Sequence, residues 1–118
     1  MKDSDIYKIE AIIKDRKEAH KFYNGASAVY RAFTKMEEAA FNDGELSKGQ
    51  KELIAIGISI IINCESCLEW HIKQALDAGI EKGQIIEAIG VGIEMGGGPA
   101  TVSSRFAMKV LSYYTDTR

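Results

Sequence analysis

The sequence has little of what a secreted, membrane-bound or nucleic-acid-binding protein needs. It holds two cysteines in 118 residues, too few for the disulfide framework of a small secreted domain. No apolar run reaches the roughly 20 residues of a transmembrane helix. The opening MKDSDIYKIE is too charged for a signal peptide. A cytoplasmic protein without membrane contact is therefore expected. Fifteen Lys and Arg stand against 17 Asp and Glu, mixed along the chain. No basic stripe offers phosphate contacts to a nucleic acid, and no polybasic tail suits an anionic membrane. Proline occurs once, as Pro99. Repeats, linkers and low-complexity segments are missing, and the length suits a single domain over residues 1–118.

What is present is helical periodicity. Residues 5–23 place Ile6, Ile9 and Ile13 on one face among charged residues. A break is expected at Asn24-Gly25, followed by a second helix with Val29, Phe33, Met36 and Ala40 on one face and a stop at Asn42-Asp43-Gly44. Ser47 and Gln50 form a capping-box pattern opening a third helix over about 48–62. Leu53, Ile54, Ile56, Ile58 and Ile60 to Ile62 make that segment apolar all round, which marks it as central. An isoleucine-rich run of this length could also be a buried strand; the cap and the helical neighbours favour helix. A fourth helix is expected over about 65–78, with Leu68, Ile72, Ala75 and Leu76 inward. Gly79 and Ile80 suit the positions just past its end. A fifth, over about 82–95, carries Ile85, Ile86, Ile89 and Ile93, with Gly90 and Gly92 permitting close approach of a neighbour. Gly96 to Gly98 read as a break, and Pro99 as the start of a last helix to about Tyr114. The expected fold is all-α, a compact bundle of about six helices.

One segment concentrates reactive groups. Asn63-Cys64-Glu65-Ser66-Cys67-Leu68-Glu69-Trp70-His71 has the form C-x-x-C-x-x-x-H. On a helix Cys64 and Cys67 lie about one turn apart, roughly 5 Å between Cα atoms, inside the range a disulfide can close. His71 follows Cys67 by one further turn on the same face, so its imidazole can reach that sulfur. A free thiol with a pKa of about 8.5 is scarcely ionised at neutral pH. A base beside one sulfur and a helix N-terminus beside the other both favour thiolate. The pattern does not say which sulfur attacks first; the histidine leans it slightly towards Cys67. If the third and fourth helices run antiparallel around Asn63, Glu52 lies level with the stretch from His71 to Gln74. A carboxylate in so apolar a segment needs a partner. A Glu52–His71–Cys relay would let the carboxylate orient the imidazole while the imidazole shuttles the thiol proton.

Glu52, eleven intervening residues and then Cys64-x-x-Cys67-x-x-x-His71 resemble the E-x11-C-x2-C-x3-H signature of AhpD-like alkylhydroperoxidases, a branch of the carboxymuconolactone decarboxylase family. Leu46-Ser47, Ala78-Gly79-Ile80 and Met95-Gly96-Gly97-Gly98-Pro99-Ala100 are similar as well, so the likeness is strongest over about 46–100. It implies an all-helical fold and thiol-dependent reduction of a peroxide or disulfide substrate. It also implies a dithiol or lipoyl-type electron donor and a homo-oligomer, hexamers being common among small single-repeat members. Glu52, Cys64, Cys67 and His71 match its catalytic positions; no cofactor or metal is called for. Two departures stand out: Ser66 occupies the place of a second histidine between the cysteines of AhpD, and this chain is shorter.

Other readings compete. Cys64, Cys67 and His71 could ligate zinc, but a structural site wants four closed ligands, and only Glu52 or the distant His20 could complete it. The pair could be two small buried hydrophobes. The same scaffold could serve as a non-enzymatic redox sensor, or as a carboxymuconolactone decarboxylase-like enzyme that needs no cysteine. His20, among Lys17, Glu18 and Lys21, reads as a solvated surface residue, and Trp70 as a core or subunit contact. Gly96 to Gly98 lack the preceding strand and the following Lys-Ser/Thr of a phosphate loop. Glu65 and Glu69 would oppose thiolate formation unless they face solvent, and the sequence leaves that open.

Overall fold

The computed structural model describes residues 1–116, and in that range the chain forms six helices and no strand. They are α1 (Asp3–Ala26), α2 (Ala28–Phe41), α3 (Lys48–Ile61), α4 (Glu65–Asp77), α5 (Lys82–Gly96) and α6 (Gly98–Thr115). Helix α3 is the central element, packed between α4 and α5 with α6 closing the bundle. The hairpin of α1 and α2 lies along the outside, against α4, α6 and the start of α3. Ile56 and Ile60 of α3 meet Leu68, Ile72 and Ala75 of α4, Ile85 of α5, Ala107 and Val110 of α6, and Ile9 of α1 in one buried cluster. Burying each of the larger side chains contributes about 1.5–3 kcal/mol. Among the described residues no helix is long and apolar enough to cross a membrane.

The capping signals work as the sequence suggests. Ser47 and Gln50 satisfy each other's backbone N–H groups at the start of α3, at 3.1 and 2.8 Å. This fixes the isoleucine run as helix. At the end of α4, Gly79 adopts a left-handed φ of 87°. Its N–H reaches the Leu76 carbonyl and the Ile80 N–H reaches that of Ala75, each at 3.0 Å. These are the two bonds of a Schellman stop. Gly92 of α5 is needed for packing, since a Cβ there would stand 2.9 Å from the Gly57 carbonyl oxygen and 3.1 Å from Ile60. The same expectation fails at Gly90, which faces open space.

One further expectation is corrected, and two apolar faces are left open. The break at Asn24-Gly25 is absent: α1 runs through both to Ala26, and the chain turns at Ser27, whose hydroxyl caps α2 by accepting from the Tyr30 N–H. Gly25 costs a helix only about 1 kcal/mol, whereas Ser27 supplies a cap bond. Helix α3, although central, is not covered on every side, because Ile54, Ile58 and Ile61 are about half exposed along one stripe. The apolar face of α2 is similarly open, with Val29, Phe33 and Met36 all exposed.

Candidate active site

The turn between α3 and α4 sets the site. Asn63 sits in the left-handed region at φ 53°. Its N–H reaches the Ile60 carbonyl and the Cys64 N–H reaches that of Ser59, at 3.3 and 3.1 Å. This is a second Schellman stop, with asparagine in the place glycine usually takes. Ser103 of α6 donates from its hydroxyl to the Asn63 side-chain oxygen at 3.0 Å and pins the turn to the bundle. Cys64 therefore ends one helix and caps the next. Its sulfur accepts the Cys67 backbone N–H at 3.2 Å and is joined to the Cys67 sulfur in a disulfide, with the two Cα atoms 5.2 Å apart. One turn of α4 spans the bridge, and both residues are half-buried.

The second pair lies further along the same hairpin. Glu52 of α3 is 1 % exposed, and its Oε1 stands 2.7 Å from His71 Nδ1. The other carboxylate oxygen accepts from the Lys48 ammonium at 2.8 Å. Burial pushes the Glu52 carboxyl upward, but the hydrogen bonds and charges of His71 and Lys48 outweigh it and hold the group below the usual carboxylate range. An ionised Glu52 accepts only, so Nδ1 carries the hydrogen and Nε2 is the imidazole's basic nitrogen. Phe41, from the end of α2, stacks on the ring with centroids 5.3 Å apart, and the Lys48 ammonium lies 5.9 Å from the centre of the Phe41 ring. Carboxylate, imidazole and ring orientation are thus all fixed.

The structure brings the four predicted residues together as two couples on one hairpin, Cys64 with Cys67 and Glu52 with His71. Among the described residues no hydrogen bond joins His71 to either sulfur, and a disulfide has no thiol proton for the imidazole to take. The question left open for Glu65 and Glu69 resolves in favour of charge balance. Glu65 pairs with Lys8 at 2.9 Å. Glu69 is fully buried and is held by the Arg16 guanidinium and the Tyr114 hydroxyl. Burial and the adjoining Glu69 carboxylate push the Tyr114 phenol above its usual range. Trp70 faces the α1–α2 hairpin, with the Arg16 guanidinium 4.8 Å from the centre of its ring. It also lines a cavity of about 190 Å³ with Phe41, Lys48, Glu52 and Gln74. His20 is exposed, its Nδ1 2.8 Å from the Tyr30 hydroxyl.

Sequence reasoning missed Lys48, Phe41 and the burial of Glu69. Lys48 and Glu52 are four residues apart on one helix, a readable i,i+4 pair. Glu69 shares a stripe with Ile72 and Leu76 at helical spacing, which is the signal for an inward position. Phe41 has no comparable signal, since its place depends on how α2 meets α3.

Residues 27–109 match the model of the carboxymuconolactone decarboxylase family. An uncharacterised protein of Cupriavidus necator is 37% identical over 87 residues, covering 74% of this chain and 74% of that protein. An uncharacterised protein of the cox locus of Paracoccus denitrificans is 39% identical over 80 residues, covering 68% and 72%. Among solved structures, a carboxymuconolactone decarboxylase family protein of Legionella pneumophila superposes with a TM-score of 0.84 at 27% identity, over 92% of this chain and 97% of that one. A Thermotoga maritima protein gives 0.81 at 21% identity, over 88% and 92%. The six-helix bundle and the match over most of its length agree: the chain belongs to the carboxymuconolactone decarboxylase family.

Proposed function

We propose that this chain is an AhpD-like thiol-dependent peroxidase that cycles Cys64 and Cys67 between dithiol and disulfide. The observation that carries this reading is the bridge itself: two sulfurs joined across the first turn of α4, with a carboxylate-held imidazole on the next turns of the same helix. In the reducing interior expected for this protein, a helical domain with so large an apolar cluster has no need of a bridge spanning one turn. A loop that short removes little freedom from the unfolded chain. Its use is chemical.

The proposed cycle balances without a cofactor. One cysteine thiolate attacks the peroxide oxygen, breaking the O–O bond; the alkoxide leaves and takes a proton, and the sulfur becomes a sulfenic acid. The second thiol attacks that sulfur, the S–S bond forms, and water leaves with the thiol's proton. His71 Nε2 is the group proposed to take and return these protons, with Glu52 holding the ring. A dithiol donor then reduces the bridge by exchange, each of its sulfurs giving up one proton and the donor emerging as its own disulfide. The test is a turnover screen of several peroxides against several dithiols, lipoyl compounds included, with Cys64→Ser and Cys67→Ser as controls. Turnover that needs both cysteines is the expected result; oxidation without turnover would leave the protein a redox sensor.

One observation favours a second reading. The 190 Å³ cavity borders Glu52 and Trp70 and is not lined by either sulfur, which suits acid–base chemistry of the decarboxylase type on a small organic acid. Activity of that kind would persist in the double Cys64→Ser, Cys67→Ser variant.

A further inference from the structure

Helix α3 opens with a lysine where the local energetics of a helix disfavour one. Lys48 is the first residue of α3, with Ser47 as its cap. A cation there opposes the partial positive charge of the helix N-terminus. Its i,i+4 pairing with Glu52 also runs in the weaker direction, lysine before glutamate. Neither helix stability nor a surface ion pair accounts for the choice. The contact that does is with a carboxylate that is 1 % exposed and already bound to His71 through its other oxygen.

We propose that Lys48 is a positioning residue of the Glu52–His71 couple: by occupying Oε2 at 2.8 Å it leaves Oε1 as the oxygen that meets the imidazole, and it divides the carboxylate's charge so that only part of it falls on the ring. The inference rests on the thiol-peroxidase reading, since a base is useful there only if it can be neutral when a thiol must be ionised. Without Lys48 the whole charge of Glu52 falls on the imidazole, and the couple keeps its shared proton to higher pH. The other charged groups around the couple do not replace it. Glu37 and Glu38 of α2 line the same cavity as Glu52 and would only add negative charge. Arg16 of α1 is engaged by Glu69 and the Trp70 ring, and on α4 Lys73 is engaged by Asp77 at 2.6 Å. Phe41 is flanked by His71 on its face and by the Lys48 ammonium, so the same lysine also borders the ring that orients the imidazole.

The chain has two histidines, His20 and His71, so ring proton signals in NMR can be assigned with one variant. The titration is run on the oxidised protein, where neither sulfur ionises. In Lys48→Met the midpoint of the His71 signal is expected to rise by about one pH unit, the size of effect a nearby charge exerts, while His20 stays put. Lys48→Arg should return His71 towards its wild-type midpoint. The limb of the rate–pH profile for disulfide formation should move upward by the same amount. The side chain of Lys48 is 39% exposed, and its backbone N–H, bound to Asp43 at 2.7 Å, is unaffected by these changes, so both variants should fold. A His71 midpoint unmoved in Lys48→Met, or moved as far in Lys48→Arg, would overturn the proposal. So would a uniform loss of rate with no displacement of the profile, which marks mere structural support. The ring titration needs no thiol chemistry: if disulfide cycling fails as the function, this measurement still decides the role of Lys48, and the reverse holds equally.

Discussion

Glu52 and His71, nineteen residues apart in sequence, face each other across the α3–α4 hairpin at 2.7 Å, and the carboxylate is almost wholly withdrawn from solvent. His71→Ala removes the base while leaving both sulfurs. Disulfide formation should then slow most near neutral pH, by about a hundredfold or more, and recover partly in alkali as the thiols ionise unaided. Glu52→Gln keeps the ring but loses the orienting charge, so the same pattern should appear more weakly. Stopped-flow measurement of thiol loss against pH checks both, and unchanged profiles in the two variants would defeat the relay.

The same carboxylate should leave a mark on stability. Its folded-state pKa is held below the ordinary value by His71 and Lys48 despite burial. A depressed carboxyl stabilises the fold at pH above its unfolded pKa, and that contribution is lost as pH falls through the folded value. Thermal melting should therefore show Glu52→Gln less stable than wild type at neutral pH. The gap should close below the ordinary carboxylate range, from about pH 4.5 downward. A gap that persists unchanged into acid would mean that packing and not charge accounts for it.

Glu69 offers a different measurement. Buried and held by Arg16 and Tyr114, it ties α4 to α1 and α6 beside the disulfide. Glu69→Ala leaves a guanidinium and a phenol without their acceptor, and breaking a buried pair from one side costs about 3–5 kcal/mol. The partial exposure of Arg16 places the expected loss at the lower end. Chemical denaturation of the oxidised protein reads it directly. A loss of a few tenths would show that the cluster is solvated in solution.

Much of the fold was legible because its signals are local. The Ser47–Gln50 box, the Gly79-Ile80 stop and the apolar stripe of α4 each act within one or two turns, and each holds in the structure. The hairpin that pairs Glu52 with His71 was readable for the same reason, since Asn63 fixes where α3 ends. What sequence could not supply depends on distant packing. Glu69 is buried only because Arg16 and Tyr114 come from the two ends of the chain, and Phe41 meets His71 only through the placing of α2. The false break at Asn24-Gly25 shows the opposite limit, where two weak helix formers were outweighed by the cap three residues further on.

Association of copies is expected from what a single chain leaves uncovered. Ile54, Ile58 and Ile61 of α3 and Val91 and Met95 of α5 line one apolar groove of about 570 Å³, and contiguous exposed apolar surface marks an interaction site where scattered single hydrophobes do not. A second copy of the chain is the occupant proposed. Light scattering at micromolar concentration should give a mass above 13.0 kDa, and Ile58→Glu should reduce it to that of one chain. A wild-type monomer would defeat the expectation.

The final prediction concerns which sulfur is the nucleophile. Cys64 stands at the N-cap of α4 with the Cys67 N–H directed at its sulfur, 3.2 Å away. A disulfide sulfur is a weak acceptor, but a thiolate in the same place would be a strong one and would gain from the helix N-terminus as well. Cys67 lies inside the first turn, and among the described residues its sulfur accepts no backbone N–H of this kind and no hydrogen bond from His71. The local field therefore favours the Cys64 thiolate, against the slight lean towards Cys67 that helical spacing alone suggests. In the reduced protein, Cys67→Ser should leave a thiol that alkylates readily below the reference thiol range of about 8.5. Cys64→Ser should leave one that is slower at the same pH. Single-turnover oxidation by a peroxide should show the same order, with sulfenic acid trapped on Cys64 in Cys67→Ser. If the remaining thiol of Cys64→Ser proves faster, and loses that advantage on His71→Ala, the imidazole and not the helix end selects the attacking sulfur.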